Sequence, residues 1–332
     1  MSTAELEIRR VKTGKGFRYF YPTGNQITSD RVLKRFANIG IPPVWTQVHI
    51  AKEPSADLQA TGYDTKGRKQ YIYHDKWHER QQAAKFSRLS EFGLALPDFR
   101  AYCWEQVEQD KWVEEKTLAL ICLLLDHTGL RAGNRQYTQQ NNTHGLTTLR
   151  RKHVTAQDGR TQLSFIGKHN KPREIEIDNP VLSELVAQSA EARGYALFRY
   201  EESAGQWHDI DSDDVNSFIH SHMGEDFSCK DFRTWGASRF GLYSLPEVEE
   251  IVQQNKRRSW PATLTSHVAA MLGNTPAVCR QYYLHPQLVN LVEDTKLRNK
   301  TLSEVRQIIQ SQGMSDASVS ATEKLLNSII RL

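Results

Sequence analysis

Five residues spread over half of this chain could carry chemistry together: Arg131, Lys168, Arg233, Asn274 and Tyr283. Cleaving a phosphodiester without a metal ion needs a nucleophile, cations for the charge that grows on the non-bridging oxygens, and an acid for the departing 5′ oxygen. Arginine suits the second task because its planar fork donates bidentately and keeps its proton. Lysine suits the third, since desolvation beside other cations lowers its pKa readily. The parts occur in order: Arg131 in Thr128-Gly-Leu-Arg-Ala-Gly-Asn134, Lys168 in Phe165-Ile-Gly-Lys168, Arg233 in Lys230-Asp-Phe-Arg-Thr-Trp235, and Asn274 with Tyr283 in Leu272-Gly-Asn-Thr-Pro-Ala-Val-Cys-Arg-Gln-Tyr-Tyr-Leu-His-Pro286.

The elements that must position them can be read from pattern. Residues 98–128 read as helical, with Leu118, Ile121, Leu124 and Leu125 on one core-facing side and Gly129 as the stop. A small sheet follows: 145–154 alternates, Asp158-Gly159 signals a tight hairpin, and Leu163/Phe165 and Ile175/Ile177 alternate around a polar tip at Lys168 to Lys171. That places Lys168 where a long side chain can reach away from the fold. After Asn179-Pro180 the chain reads as helices to about Glu293, then as two amphipathic helices around Leu302 and Leu325. Upstream, Phe17 to about Tyr73 reads as a mostly antiparallel β lobe with some helix, and helix takes over from Asp75 to about Leu94, where Pro97 suggests an interruption. The expected fold class is α+β, with domains at 1–92 (β-rich lobe), 93–295 (mainly helical catalytic domain with a small antiparallel sheet) and 296–332 (helical tail).

Composition narrows the partners. A chain of 332 residues with 39% hydrophobic and 25% charged residues is ordinary for a globular protein of two lobes. The longest apolar run, Leu118 to Leu125, is too short for a bilayer, and the first residues lack a secretory pattern, so a cytoplasmic, nucleoid-associated location without membrane contact is expected. Cys103, Cys122, Cys229 and Cys279 form no C-x-x-C pair, which argues against a zinc site or a disulfide framework. Net charge is only +4, yet residues 1–90 hold 16 Lys+Arg against 8 Asp+Glu, and residues 131–173 hold 9 against Asp158 alone. Positive charge gathered in two blocks suits a protein that grips a phosphate backbone.

With these strings in this order, and with Ile41-Pro-Pro-Val-Trp45, Leu58-Gln-Ala-Thr-Gly62, Gly67-Arg-Lys-Gln-Tyr71 and Gly145-Leu-Thr-Thr-Leu149, the chain resembles the small bacterial and poxvirus DNA topoisomerases of type IB, the eukaryotic-like type I family, over most of residues 15–290. The resemblance implies a bilobal clamp that closes around double-stranded DNA as a monomer, with no ATP, metal or small-molecule cofactor. It implies Tyr283 as nucleophile and a 3′-phosphotyrosyl intermediate, Arg131 and Arg233 on the non-bridging oxygens, and Lys168 as general acid. Tyr282 points about 100° away on a helix, and the family spacing selects Tyr283. Much of the family has histidine where this chain has Asn274; an amide donates one hydrogen bond to phosphate but carries no charge. Gln70, Tyr71 and Tyr73, with Arg68 and Lys69, align with a segment that enters the major groove in poxvirus relatives. Two rivals stand beside this reading. A tyrosine recombinase uses an equivalent Arg, Lys, Arg, Tyr set, but Lys230-Asp-Phe-Arg233 departs from the recombinase His-x-Leu-Arg-His pattern. A non-catalytic DNA-binding clamp would keep the grip without the reaction.

Overall fold

The computed structural model describes residues 6–14, 16–202, 205–255, 257–313 and 315–331. The fold is α+β and divides into two compact units, 1–87 and 88–332.

The first unit is built on a five-stranded antiparallel sheet in the order β2 (Gly16–Phe20), β1 (Ile8–Thr13), β3 (Thr46–Ile50), β4 (Leu58–Tyr63), β5 (Lys69–Tyr73). One face is apolar because Ile8, Val48, Ile50 and Ala60 point the same way, and helix α1 (Asp30–Asn38) covers it with Phe36. Helix α2 (Asp75–Ser87) closes the unit.

The second unit is mainly helical. Its centre is α4 (Glu114–Thr128), packed between α3 (Leu89–Val107) and α8 (Cys229–Tyr243). The expected single core-facing side of α4 is too modest: every residue from Lys116 to Asp126 is buried, because helices cover it on several sides. Gly129, in the left-handed conformation at φ 60°, ends the helix by donating its N–H to Leu125 O at 3.0 Å.

Pro97 does not interrupt the chain. It lies inside α3, and the break falls earlier, between α2 and α3 at Arg88. A proline ring in a helix interior costs about 3 kcal/mol. Burial of Phe92, Leu96, Phe99 and Cys103, one stripe running through the proline on both sides, opposes that cost.

The alternating stretch 145–154 is also not a strand for most of its length. It forms two single 3-10 turns, Leu146–Thr148 and Arg151–His153, and strand only from Val154. Its backbone is spoken for elsewhere: Leu146 N donates to Arg131 O at 2.9 Å and Thr147 N to Ala132 O at 2.6 Å. These bonds anchor the segment to the loop that carries Arg131.

A short helix, α5 (Arg135–Asn141), precedes the small sheet, which runs β6 (Val154–Gln157), β7 (Arg160–Gly167), β8 (Lys171–Ile177), with a two-residue turn at Asp158 and Gly159, both left-handed. After α6 (Pro180–Glu191) a short hairpin, β9 (Arg199–Glu201) and β10 (Trp207–Asp209), interrupts the run that the sequence presents as helical. Then come α7 (Ser212–Met223), α8, α9 (Leu245–Gln254), α10 (Trp260–Leu272), α11 (Pro276–Tyr282) and α12 (Pro286–Glu293).

The last two helices, α13 (Thr295–Gln312) and α14 (Asp316–Ile330), pack into the same unit. Helix α14 brings Glu323, 4% exposed, into a cluster with Arg100 of α3, Asp126 of α4 and Arg239 of α8, and accepts a 3.0 Å bond from Trp235 Nε1. All four cysteines are buried and free. No helix among the described residues is long and apolar enough to cross a membrane.

Candidate active site

Arg233 is the fifth residue of α8, whose start is fixed by a cap in which Ser228 N donates to Asp231 Oδ2 at 2.9 Å. It is 3% exposed. Its guanidinium is held by two helix ends: Nη1 donates to Gly129 O at the end of α4, and Nη2 to Leu272 O at the end of α10, at 2.5 Å. Carbonyls at helix C-termini carry the negative end of the macrodipole, so they hold a cation without cancelling its charge as a carboxylate does. Burial, reinforced by repulsion from Arg131, lowers the pKa of Arg233 to about 10, opposed by Tyr283, which hydrogen-bonds it. At neutral pH it is therefore a cation whose charge has little water around it.

Arg131 lies two residues past the Gly129 cap, and its Nη2 donates to Asn274 Oδ1 at 2.5 Å. Asn274 follows Gly273, the left-handed cap of α10, and its own N–H bonds Ala269 O at 2.9 Å. Tyr283 is the C-cap of α11, with its N–H on Cys279 O at 2.9 Å, and Arg233 Cζ stands 5.0 Å from the centre of its ring. Tyr283 is half-buried while Tyr282 is exposed.

Lys168 opens the turn between β7 and β8 and is exposed; the next two residues, His169 and Asn170, hold φ of 63° and 60°. A left-handed conformation costs roughly 1 kcal/mol or more for a residue with a Cβ. Arg131, Lys168 and Arg233 line one small cleft together with Gly273, His144, Lys171 and Arg173. Two buried donors beside it, Arg233 Nε and Asn274 Nδ2, have no hydrogen-bond partner in the structure. Each such orphan costs about 1–3 kcal/mol, which an anion oxygen reaching it would return. No Asp or Glu lines this cleft among the described residues.

Arg173 is the residue that sequence reasoning passed over. Its Nη2 donates to Met271 O at 2.8 Å, and burial, then the neighbouring charge of Arg131, lowers its pKa. The signal was available: Arg173 has the same parity as Ile175 and Ile177 on β8, the inward side of the strand.

In the first unit, the five sequence candidates lie on or just before β5, at the edge of the sheet. Tyr71 and Tyr73 share a face and stack at 6.3 Å; Lys69 Nζ sits 5.6 Å from the Tyr71 ring, and Tyr73 stacks on Trp77 at 3.9 Å. Gln70 lies on the opposite face and donates to Asp64 Oδ2 at 3.1 Å, where Arg68 also binds through Nε at 2.8 Å. Arg68 thereby depresses the Asp64 pKa, through its backbone N–H first and its side chain as well. Strand alternation thus separates Gln70 from the two tyrosines.

Comparisons with known proteins point to one family. The family described as the catalytic core of eukaryotic DNA topoisomerase I matches residues 74–309, and the bacterial DNA topoisomerase IB N-terminal domain matches residues 16–64. The chain is 27% identical over 299 residues to the DNA topoisomerase 1B of Acanthamoeba polyphaga mimivirus, covering 86% of this chain and 88% of that protein. It is 22% identical over 301 residues to the DNA topoisomerase 1B of Vaccinia virus (strain Copenhagen), covering 83% and 90%. A DNA topoisomerase 1 from Mycosarcoma maydis is 24% identical over 227 residues, 62% of this chain but 22% of that longer protein. The chain belongs to the type IB DNA topoisomerases, a family of enzymes.

Proposed function

We propose that this chain relaxes supercoiled duplex DNA by cutting one strand through Tyr283, letting the cut end swivel about the intact strand, and resealing it, without ATP or metal. The Tyr283 hydroxyl gives its proton to water and its oxygen attacks the scissile phosphorus; the new O–P bond forms as the bond to the 5′ oxygen breaks. Arg131, Arg233 and Asn274 Nδ2 receive the charge on the non-bridging oxygens, and Lys168 gives the 5′ oxygen its proton. The phosphodiester energy stays in the 3′-phosphotyrosyl link, so resealing needs no other source. Stored torsion in the DNA drives the swivel. The enzyme works as a monomer whose two units close around the duplex; from the first unit the edge strand β5 meets DNA with Lys69, Tyr71 and Tyr73 on one face and with Gln70, and Arg68 just before the strand, on the other, Gln70 and Arg68 exchanging Asp64 for DNA.

The observation that carries this reading is the cleft itself: three arginines and two lysines around one space, a tyrosine ring against one of the arginines, and two buried donors without a hydrogen-bond partner. The test is plasmid relaxation in excess chelator with no nucleotide, followed by denaturation and mapping of the protein–DNA adduct. Relaxation is expected, with the adduct on Tyr283, absent from Tyr283→Phe and retained by Tyr282→Phe. An adduct on another residue, or relaxation that requires ATP, would overturn it.

A further inference from the structure

Arg173 spans the cleft in a way that links two of its walls. Its aliphatic stem crosses Gly167: a Cβ there would stand 3.1 Å from Arg173 Cγ. Its guanidinium lies on Gly273, where a Cβ would overlap Nη1 and stand 2.9 Å from Cζ, and Nη2 continues to Met271 O. Gly273 also holds φ at +64°, so a side chain there is opposed by the backbone as well as by the arginine.

These two glycines directly precede Lys168 and Asn274. One side chain therefore rests on the residue before the general acid of the reaction proposed above and on the residue before a phosphate donor. The bond to Met271 O lies one residue from Leu272 O, which holds Arg233. Arg173 comes from β8, the return strand of the hairpin whose turn begins at Lys168, and pairs in register with Phe165.

We propose that Arg173 is a positioning residue for cleavage, fixing the Lys168 turn and the Asn274 turn relative to each other through the two glycines it covers. It acts through those residues rather than on the DNA. The stem serves Lys168 and the guanidinium serves Asn274, so the two halves of the side chain separate by substitution. This inference rests on the reaction assigned to the cleft, and deepens it.

The test uses single-turnover formation of the Tyr283 adduct on a duplex with either oxygen or sulfur at the 5′ bridging position of the scissile phosphate. A thiolate leaves readily without being protonated, so sulfur removes the need for the acid. Arg173→Ala should slow cleavage about 10²-fold on oxygen, the cost of a misplaced group. Sulfur should restore much of that loss, as it should for Lys168→Ala if that residue is the acid. Arg173→Met keeps the stem; its smaller loss should ignore sulfur and shrink in an Asn274→Ala background, since coupled residues are not additive. Should Arg173→Ala melt early, Arg173→Met and Arg173→Lys carry the same comparison in folded protein. Cleavage by Arg173→Ala at the wild-type rate would refute the positioning role. So would a loss equal on both substrates and undiminished without Asn274. Absence of any adduct from the wild-type chain would instead refute the reaction itself, and the positioning role with it.

Discussion

Asn274 holds Arg131 with its oxygen and leaves its nitrogen free to donate. Asn274→Asp separates these tasks: the acceptor for Arg131 survives, while the donor becomes a second oxygen that repels phosphate. Adduct formation should fall about 10²–10³-fold, the usual loss for one preorganised donor, and further than in Asn274→Ala. Equal rates for the Asp and Asn proteins would show that Nδ2 does not face the reacting phosphate. That Arg131, Lys168 and Arg233 line one cleft was legible in the sequence as a set of residue types, because few side chains besides Arg and Lys can receive a phosphate's charge. The partners of Arg233 were not, because they are backbone carbonyls, and any residue supplies a carbonyl. Gln70 shows the same limit, since side-chain type does not say which neighbour, here Asp64, has already engaged it.

At the scale of elements, the turns that depend on local residues were readable: Gly129 ends α4, Asp158-Gly159 turns β6 into β7, and the Lys168 tip lies where the alternation stops. Elements decided by tertiary contact were not. Pro97 reads as a break yet sits in a helix held by buried residues on both sides, and 145–154 alternates yet spends its backbone on the Arg131 loop. The C-terminal helices look like an appendage in sequence, but Glu323 lies in the buried cluster on α8. Burial alone would raise the Asp126 and Glu323 pKa values; Arg239 and Arg100 outweigh it, so both are lowered. A depressed carboxylate stabilises above its unfolded pKa and loses that contribution as pH falls through its folded value. The second unit should accordingly be most stable near neutrality and weaken as acid reaches and passes below the ordinary carboxylate range. Glu323→Gln should cost about 3–5 kcal/mol near pH 7, the range for breaking a buried pair, and flatten the acid dependence. Denaturant melts across pH would check it; an unchanged midpoint at neutral pH would show the cluster to be neutral in stability.

For the whole molecule, net charge says little and its distribution says more. Apart from Arg88, the basic blocks at 1–90 and 131–173 fall on different units, and both would displace counterions from DNA. If six or more phosphates are neutralised, affinity should drop about 10³-fold or more between roughly 50 and 200 mM salt. Titration of a labelled duplex at several salt concentrations would measure the slope, and a flat response would contradict a two-sided grip.

The place of Glu323 has a bearing on how the protein is made. Arg100, Asp126 and Arg239 emerge from the ribosome long before the carboxylate that completes their cluster, and Arg239 shares its helix with Arg233. Until residue 323 arrives, an excess positive charge sits in the interior on the helix that carries Arg233. The loss measured for Glu323→Gln sets the size of that handicap. A chain released before Glu323 would thus carry Arg233 on a helix that its own unbalanced interior charge disfavours.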